Sequence, residues 1–291
     1  MLLKVLKWIG FLALGLILLA AGFYAKVYFS TESRFAQKYK YQLPDFSVEA
    51  DSAMLAEGER LMTVKGCNDC HGTDLGGRVF IDDPALGRVA APNLTRGKGG
   101  LPADFTANDW LRALKHGVNR DSTTLRIMPS YEYAQLTERD LKAIIAFGMS
   151  LPAVDRTLPP IAFKPVGRIL IDLDKLPVMV AEKIDHNAEL VKEIVPAVNA
   201  EFGRYIAVSC SGCHKENLKG GEAVLPGSPP VADITSTGNV GKWTQEQFLT
   251  TMRTGKTPEG KELQAQFMPW PLAKSLTDTE LQALYVYLRS I

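Results

Sequence analysis

Two five-residue stretches, CNDCH at residues 67–71 and CSGCH at residues 210–214, hold all four cysteines of a 291-residue chain. In each, two thiols stand one helical turn apart and a histidine follows directly. Such a pair can add across the two vinyl groups of a haem while the histidine meets the iron from the same side, which is the covalent attachment of a c-type haem. Cys67, Cys70 and His71 would serve one haem, and Cys210, Cys213 and His214 a second. The rival chemistry is a tetrahedral zinc site built from two CxxC pairs. It leaves both histidines without a role and requires the two pairs to converge. Disulfides within each pair would close very short loops, which stabilise little and are redox active.

An octahedral iron has a sixth position, and its occupant decides between electron transfer and chemistry at the metal. Of the eight methionines, Met128 and Met268 each stand immediately before a proline, at similar intervals after the motif histidines. A side chain in a loop stiffened by proline can reach the far face of a haem, so these two are the expected axial ligands. Filling gaps in a core is the other use of methionine, and Met62, Met149 and Met252, which fall in or at the ends of helical patterns, read that way. His116 and His186 have no histidine at the matching position of the other half and read as surface residues.

The elements that position these groups come as an internal repeat. MPSYEYAQLTERDLKAIIAFG, beginning at Met128, lies without gaps over MPWPLAKSLTDTELQALYVYL, beginning at Met268. Thr137 with Asp140 and Thr277 with Glu280 are helix-opening pairs of the capping-box type, the first with the shorter arm. Leu141, Ile144, Ile145 and Gly148, like Leu281, Leu284, Tyr285 and Leu288, follow the spacing of a buried helical face. Upstream, FTANDWLRALKHG lies over WTQEQFLTTMRTG, and a further short helix precedes each cysteine motif. Strand signals are nearly absent, so the fold class reads as all-α.

Charge and hydropathy set the surroundings. A formal net charge of +1 with 22% charged residues gives no field of one sign, so nucleic acid is not an expected partner. Residues 8–25 carry no charge, and that length reaches what a helix needs to span a bilayer. A cleaved signal would have a shorter apolar run; Ala20-Ala21-Gly22 is a weak cleavage site, and retention as an anchor is expected. The lysines and arginines on both flanks leave orientation undecided by charge alone. The organisation expected is a transmembrane anchor over residues 1–30, a stalk over 31–54, a first domain over 55–151, a proline-marked linker over 152–198 and a second domain over 199–291. The stretch after Pro160 is apolar but broken by charges and by Pro165 and Pro177, which suits a path over domain surfaces or the membrane interface rather than a second span.

The order CxxCH, an APNLT segment, a helix entered at Phe or Trp, Met-Pro and a last helix ending in YLRS resembles a class I cytochrome c domain, here twice. The match covers about 55–151 and 199–291, behind a single apolar helix, as in the membrane-anchored dihaem cytochromes c of bacterial respiratory complexes and periplasmic dehydrogenases. The resemblance implies two covalent haems c and first and last helices crossing near Gly58 with Phe147 and Gly203 with Tyr287. It implies a Pro92 carbonyl that orients His71, and it makes Arg96 a candidate partner for a haem propionate. The second copy has Ala232 where proline is expected, which leaves the group orienting His214 open. With His and Met on both sides of each iron, the implied activity is outer-sphere relay of single electrons between a donor and an acceptor such as a dehydrogenase, a respiratory complex or a terminal oxidase. The protein would then be an electron carrier rather than an enzyme. The implied location is the bacterial inner membrane, N-terminus in the cytoplasm and haem domains in the periplasm. A dihaem peroxidase, which needs an iron that can open, and a chiefly structural subunit are the alternatives.

Overall fold

In the computed structural model, which describes residues 1–44, 46–176, 178–223 and 228–291, about half of the chain is helical and strands are few. The first helix, α1 (Leu2–Ala36), is unbroken and is long and apolar enough to cross a membrane. Its apolar window is entirely exposed, whereas Val27, Thr31 and Phe35 near its end are buried.

The first domain begins with α2 (Ser52–Val64), opened by Asp51, whose side chain accepts from the Met54 amide at 2.7 Å. It continues through α3 (Cys67–His71), the hairpin β1 (Arg78–Asp83) and β2 (Gly87–Ala91), α4 (Ala107–Leu111) with a π-helical turn Arg112–His116, α5 (Ser130–Tyr133) and α6 (Glu138–Ser150). In the linker, β3 (Ala162–Phe163) adds to β2, and α7 (Pro165–Asp172) follows. The second domain holds α8 (Ala200–His214), α9 (Gln245–Thr254) and α10 (Asp278–Ser290).

The crossing of first and last helices is set by glycine in both domains. A Cβ on Gly58 would stand 2.1 Å from the Ala143 carbonyl oxygen and 2.7 Å from the Phe147 Cβ. On Gly203 it would stand 2.0 Å from the Ala283 carbonyl oxygen and 2.7 Å from the Tyr287 Cβ. No side chain fits between these backbones. One apolar cluster, including Leu61, Leu111, Ile145, Phe202, Leu281 and Leu288, extends through both domains.

Four expectations need correction or addition. The hairpin and β3 form an antiparallel three-stranded sheet in the order β1-β2-β3, although strands were nearly invisible in sequence. Asp83 makes its turn by accepting from the amides of Ala85 and Leu86 at 2.8 and 2.7 Å. The supposed stalk is not a free spacer. Helix α1 runs through residue 36, the Tyr39 amide donates to the Ser122 carbonyl at 3.0 Å, and Phe46 is buried in the first domain. The linker also packs on that domain: the Glu138 amide donates to the Val191 carbonyl at 3.1 Å, and the Lys115 ammonium to the Glu189 carbonyl at 2.9 Å. Finally, His116 is buried rather than at the surface. Its Nδ1 lies 3.2 Å from Nδ1 of the half-buried His186, and its ring stacks on Tyr41 at 4.6 Å. This pair fastens stalk and linker to the domain. Pro165 opens α7 instead of interrupting a helix, and Pro177 lies outside the described residues.

Candidate haem-attachment sites

The two motifs sit at the end of their helices by different routes. In the first domain α2 stops, Gly66 turns the chain at φ 71°, and α3 carries CNDCH. In the second, α8 is continuous into CSGCH. Past the histidine the two converge. The Gly77 amide donates to the His71 carbonyl at 2.7 Å and the Gly220 amide to the His214 carbonyl at 2.9 Å, with Leu75 and Leu218 in the left-handed region just before.

Both imidazoles are buried and held in the same way. His71 Nδ1 donates to the Pro92 carbonyl and His214 Nδ1 to the Ala232 carbonyl, each at 2.8 Å. The group left open for the second copy is therefore a backbone carbonyl at the matching position, with no need for proline. What presents it is the turn that follows. Asn93 Oδ1 accepts from the Thr95 amide at 2.9 Å, and Asp233 Oδ1 from the Thr235 amide at 2.8 Å. These four residues were missed in the sequence, although NLT and DIT are a readable turn signal. Burial pushes both imidazoles down, against the opposing effect of the carbonyl bond, so each is neutral with its proton on Nδ1. Nε2 is then the ring nitrogen available to a metal.

All four cysteines are free thiols. Burial pushes the Cys67 thiol up to about 12 and the Cys210 thiol up to about 11, and it raises Cys70 and Cys213 as well. The zinc arrangement is not formed: among the described residues no group of three or more His, Cys, Asp or Glu side chains is placed to hold a metal ion.

The Met-Pro loops are matched too. After the preceding helix, the Leu125 amide returns to the Gly117 carbonyl and the Leu263 amide to the Gly255 carbonyl, each at 2.7 Å. Met128 and Met268 follow, both partly buried, and their carbonyls accept from the amides of Ser130 and Trp270 at 2.8 and 2.7 Å. Arg96 does something else. Its guanidinium donates to the carbonyls of Pro102, Ala103 and Phe105 and closes that loop. In each domain two thiols for covalent attachment, an imidazole oriented through Nδ1 and a thioether on a pinned loop are residues that fit a c-type haem.

The domain interface brings the two motifs together. The Lys65 ammonium, just ahead of Cys67, donates to Ser209 Oγ, just ahead of Cys210, at 3.0 Å. A Cβ on Gly212 would meet Glu132 Oε1 at 2.6 Å, and one on Gly66 would meet Leu272 at 3.5 Å.

Comparison with known proteins agrees with this geometry. Residues 53–147 match the family model of cytochrome c oxidase, cbb3-type, subunit III, and residues 201–291 match that of cytochrome c. The chain is 23% identical over 243 residues to the cytochrome c subunit of the alcohol dehydrogenase (quinone) of Gluconobacter oxydans, covering 72% of this chain and 48% of that one. It is 24% identical over 272 residues to the fructose dehydrogenase cytochrome subunit of Gluconobacter japonicus, covering 81% and 52%. A shorter match, 30% over 106 residues, covers 35% of this chain and 24% of the gluconate 2-dehydrogenase cytochrome c subunit of Pantoea cypripedii. The chain thus spans about half the length of the longer-matching relatives. The chain therefore carries two cytochrome c domains in tandem, which imply covalently bound haem c, behind one apolar helix long enough to cross a membrane.

Proposed function

We propose that the protein is a dihaem electron carrier serving a membrane-associated dehydrogenase. In this reading Cys67 and Cys70 hold one haem between His71 and Met128, and Cys210 and Cys213 hold the second between His214 and Met268. The observation that carries it is the pair of buried imidazoles, each tied through Nδ1 to a carbonyl at 2.8 Å that the same kind of side-chain-braced turn presents. Bound haem supplies a one-electron couple. The chain supplies the rest: thiols that fix the ring, carbonyls of Pro92 and Ala232 that raise the basicity of the imidazoles, and thioethers that favour ferrous iron and close the sixth position to substrates. The relatives' names, as cytochrome subunits of alcohol, fructose and gluconate dehydrogenases, support a dehydrogenase as donor. Residues 1–30 act as the anchor, with the N-terminus in the cytoplasm and the domains over 55–151 and 199–291 in the periplasm, where haem c is attached. Arg96 is not assigned to a propionate, because its donors already hold its own loop.

An alkaline pyridine spectrum of the purified chain is expected to give two haems c. Replacement Met128→Ala or Met268→Ala is expected to lower one of two potentials by roughly 100 mV or more and leave the other in place. A redox titration unchanged in either variant removes that methionine as a ligand.

A further inference from the structure

Helix α7 divides cleanly into three faces. Gly167 and Ile171 are buried, Gly167 so closely against the first domain that a Cβ would stand 2.2 Å from the Leu86 carbonyl oxygen, and Ile171 in a cluster with Phe35 of α1 and Val178 and Met179 of the linker. Arg168 and Asp172, one turn apart, face α1. Arg168 bonds Glu32 at 2.7 Å and Thr31 Oγ1 at 2.9 Å and lies over the Tyr28 ring, while the Asp172 carboxylate holds the Lys26 ammonium at 2.6 Å. The third face, Val166, Ile169, Leu170 and Leu173, is apolar and points away from both neighbours by helical spacing. Val166 and Leu173 are 47% and 56% exposed, and Ile169 and Leu170 between them are half-buried.

The height of this open stripe is fixed by α1. The uncharged run ends at Ala25 and the exposed apolar surface of α1 continues to Phe29. At 1.5 Å per residue, the uncharged residues 8–25 span about 27 Å, close to the roughly 30 Å of a hydrocarbon core. The headgroup layer beyond it is about 5 to 7 Å deep, roughly four residues of helix. Lys26 and Tyr28, which meet Asp172 and Arg168, lie at that level, with Thr31 and Glu32 at its outer edge. The exposed Lys164 and Lys175 flank the two ends of α7.

We propose that α7 is a second membrane contact, whose stripe Val166, Ile169, Leu170 and Leu173 inserts into the phospholipid headgroup layer beside α1. The proposal rests on α1 being a membrane span. An interfacial helix of this kind binds through its apolar face, with basic residues toward lipid phosphates. Its consequence is that the first domain does not swing on a tether. The ion pairs of α1 with α7 and the lipid contact together set the tilt and height of the first haem site above the bilayer.

The test uses the full chain with both haems kept ferrous, reconstituted in nanodiscs of phosphatidylcholine and phosphatidylglycerol. Single variants Leu16→Cys, Val166→Cys, Leu173→Cys and Val195→Cys carry a nitroxide, and collision with oxygen and with a water-soluble nickel chelate gives its depth. The expected result is Leu16 in hydrocarbon, Val195 in water, and Val166 and Leu173 at headgroup depth, at least threefold less accessible to nickel than Val195. Val166 and Leu173 as open to nickel as Val195, with Leu16 in hydrocarbon, overturns the contact and leaves the stripe to a protein partner. Leu16 in water overturns the spanning reading, and the proposal with it.

Discussion

Glu132 stands on α5, directly after the Met128 loop, and its side chain makes no hydrogen bond or ion pair among the described residues. It lies against Gly212 of the other domain, with Tyr131, Cys213 and the Lys65 ammonium around it. Burial pushes its carboxyl up to about 7, with Lys65 opposing. The raised value means that between about pH 4.3, where a free glutamate titrates, and pH 7 the folded chain holds a proton that the unfolded chain has lost. Stability from this group is therefore greatest on the acid side of that window and falls as pH rises through it. In Glu132→Gln the neutral form is permanent. Thermal unfolding of the haem-loaded protein is expected to show variant and wild type alike near pH 4, and the variant more stable by about 1–3 kcal/mol near pH 8, the range reflecting partial solvent screening. A difference that is the same at both values would show that Glu132 is solvated.

At the scale of elements, the crossings of α2 with α6 and α8 with α10 tolerate no methyl group. Gly58→Ala or Gly203→Ala places a Cβ about 2 Å from a carbonyl oxygen that belongs to a helix and cannot turn aside. The expected cost is about 1–3 kcal/mol or more, lowering the melting temperature by roughly 4–8 °C per kcal/mol for a domain of this size; a change within a degree or two would mean that the helices do not meet there. These crossings were legible because the repeat placed both glycines one helix before CxxCH. So were the helix openings at Thr106, Thr137, Thr244 and Thr277, each accepting from the amide three residues on. The hairpin was less so: RVFIDD and GRVAA are short, and their turn depends on the Asp83 carboxylate reaching two amides, which a helix-period search passes over. The burial of His116 was hidden altogether. It depends on residues 39–41 and 186, distant in sequence, closing over it, and no local pattern encodes that.

Across the whole molecule the two domains meet by a pseudo-two-fold arrangement made from those same helix openings. When Gly58 is laid on Gly203, Arg60 falls on Tyr205, and each of these reaches the start of the other domain's last helix. Arg60 donates to Glu280 at 2.8 and 3.0 Å and to the Ser275 carbonyl at 2.9 Å, while Glu280 also closes its own capping box by accepting from the Thr277 amide. Tyr205 accepts from the Thr137 amide at 3.2 Å and donates to Asp140 at 2.5 Å. Asp109 shows that an aspartate can close a capping box, so what keeps Asp140 from closing its own is the tyrosine that stands in the gap. Each domain thus completes a helix terminus of its neighbour, which also seats Lys65 beside Ser209, the residues just ahead of the two CxxCH motifs. Arg60→Ala strands the mostly buried Glu280 carboxylate, and Tyr205→Phe removes the hydroxyl that bridges the Thr137 amide and Asp140 across the interface. Each is expected to cost about 1–3 kcal/mol. Because both losses fall on one interface, the double variant is expected to unfold in two calorimetric transitions where the wild type shows one, since domains coupled by a shared core and shared caps melt together only while the coupling exceeds their difference in stability. A single transition in the double variant, with the two losses simply additive, would mean that the apolar cluster alone unites the domains and that the reciprocal caps are ornament to it.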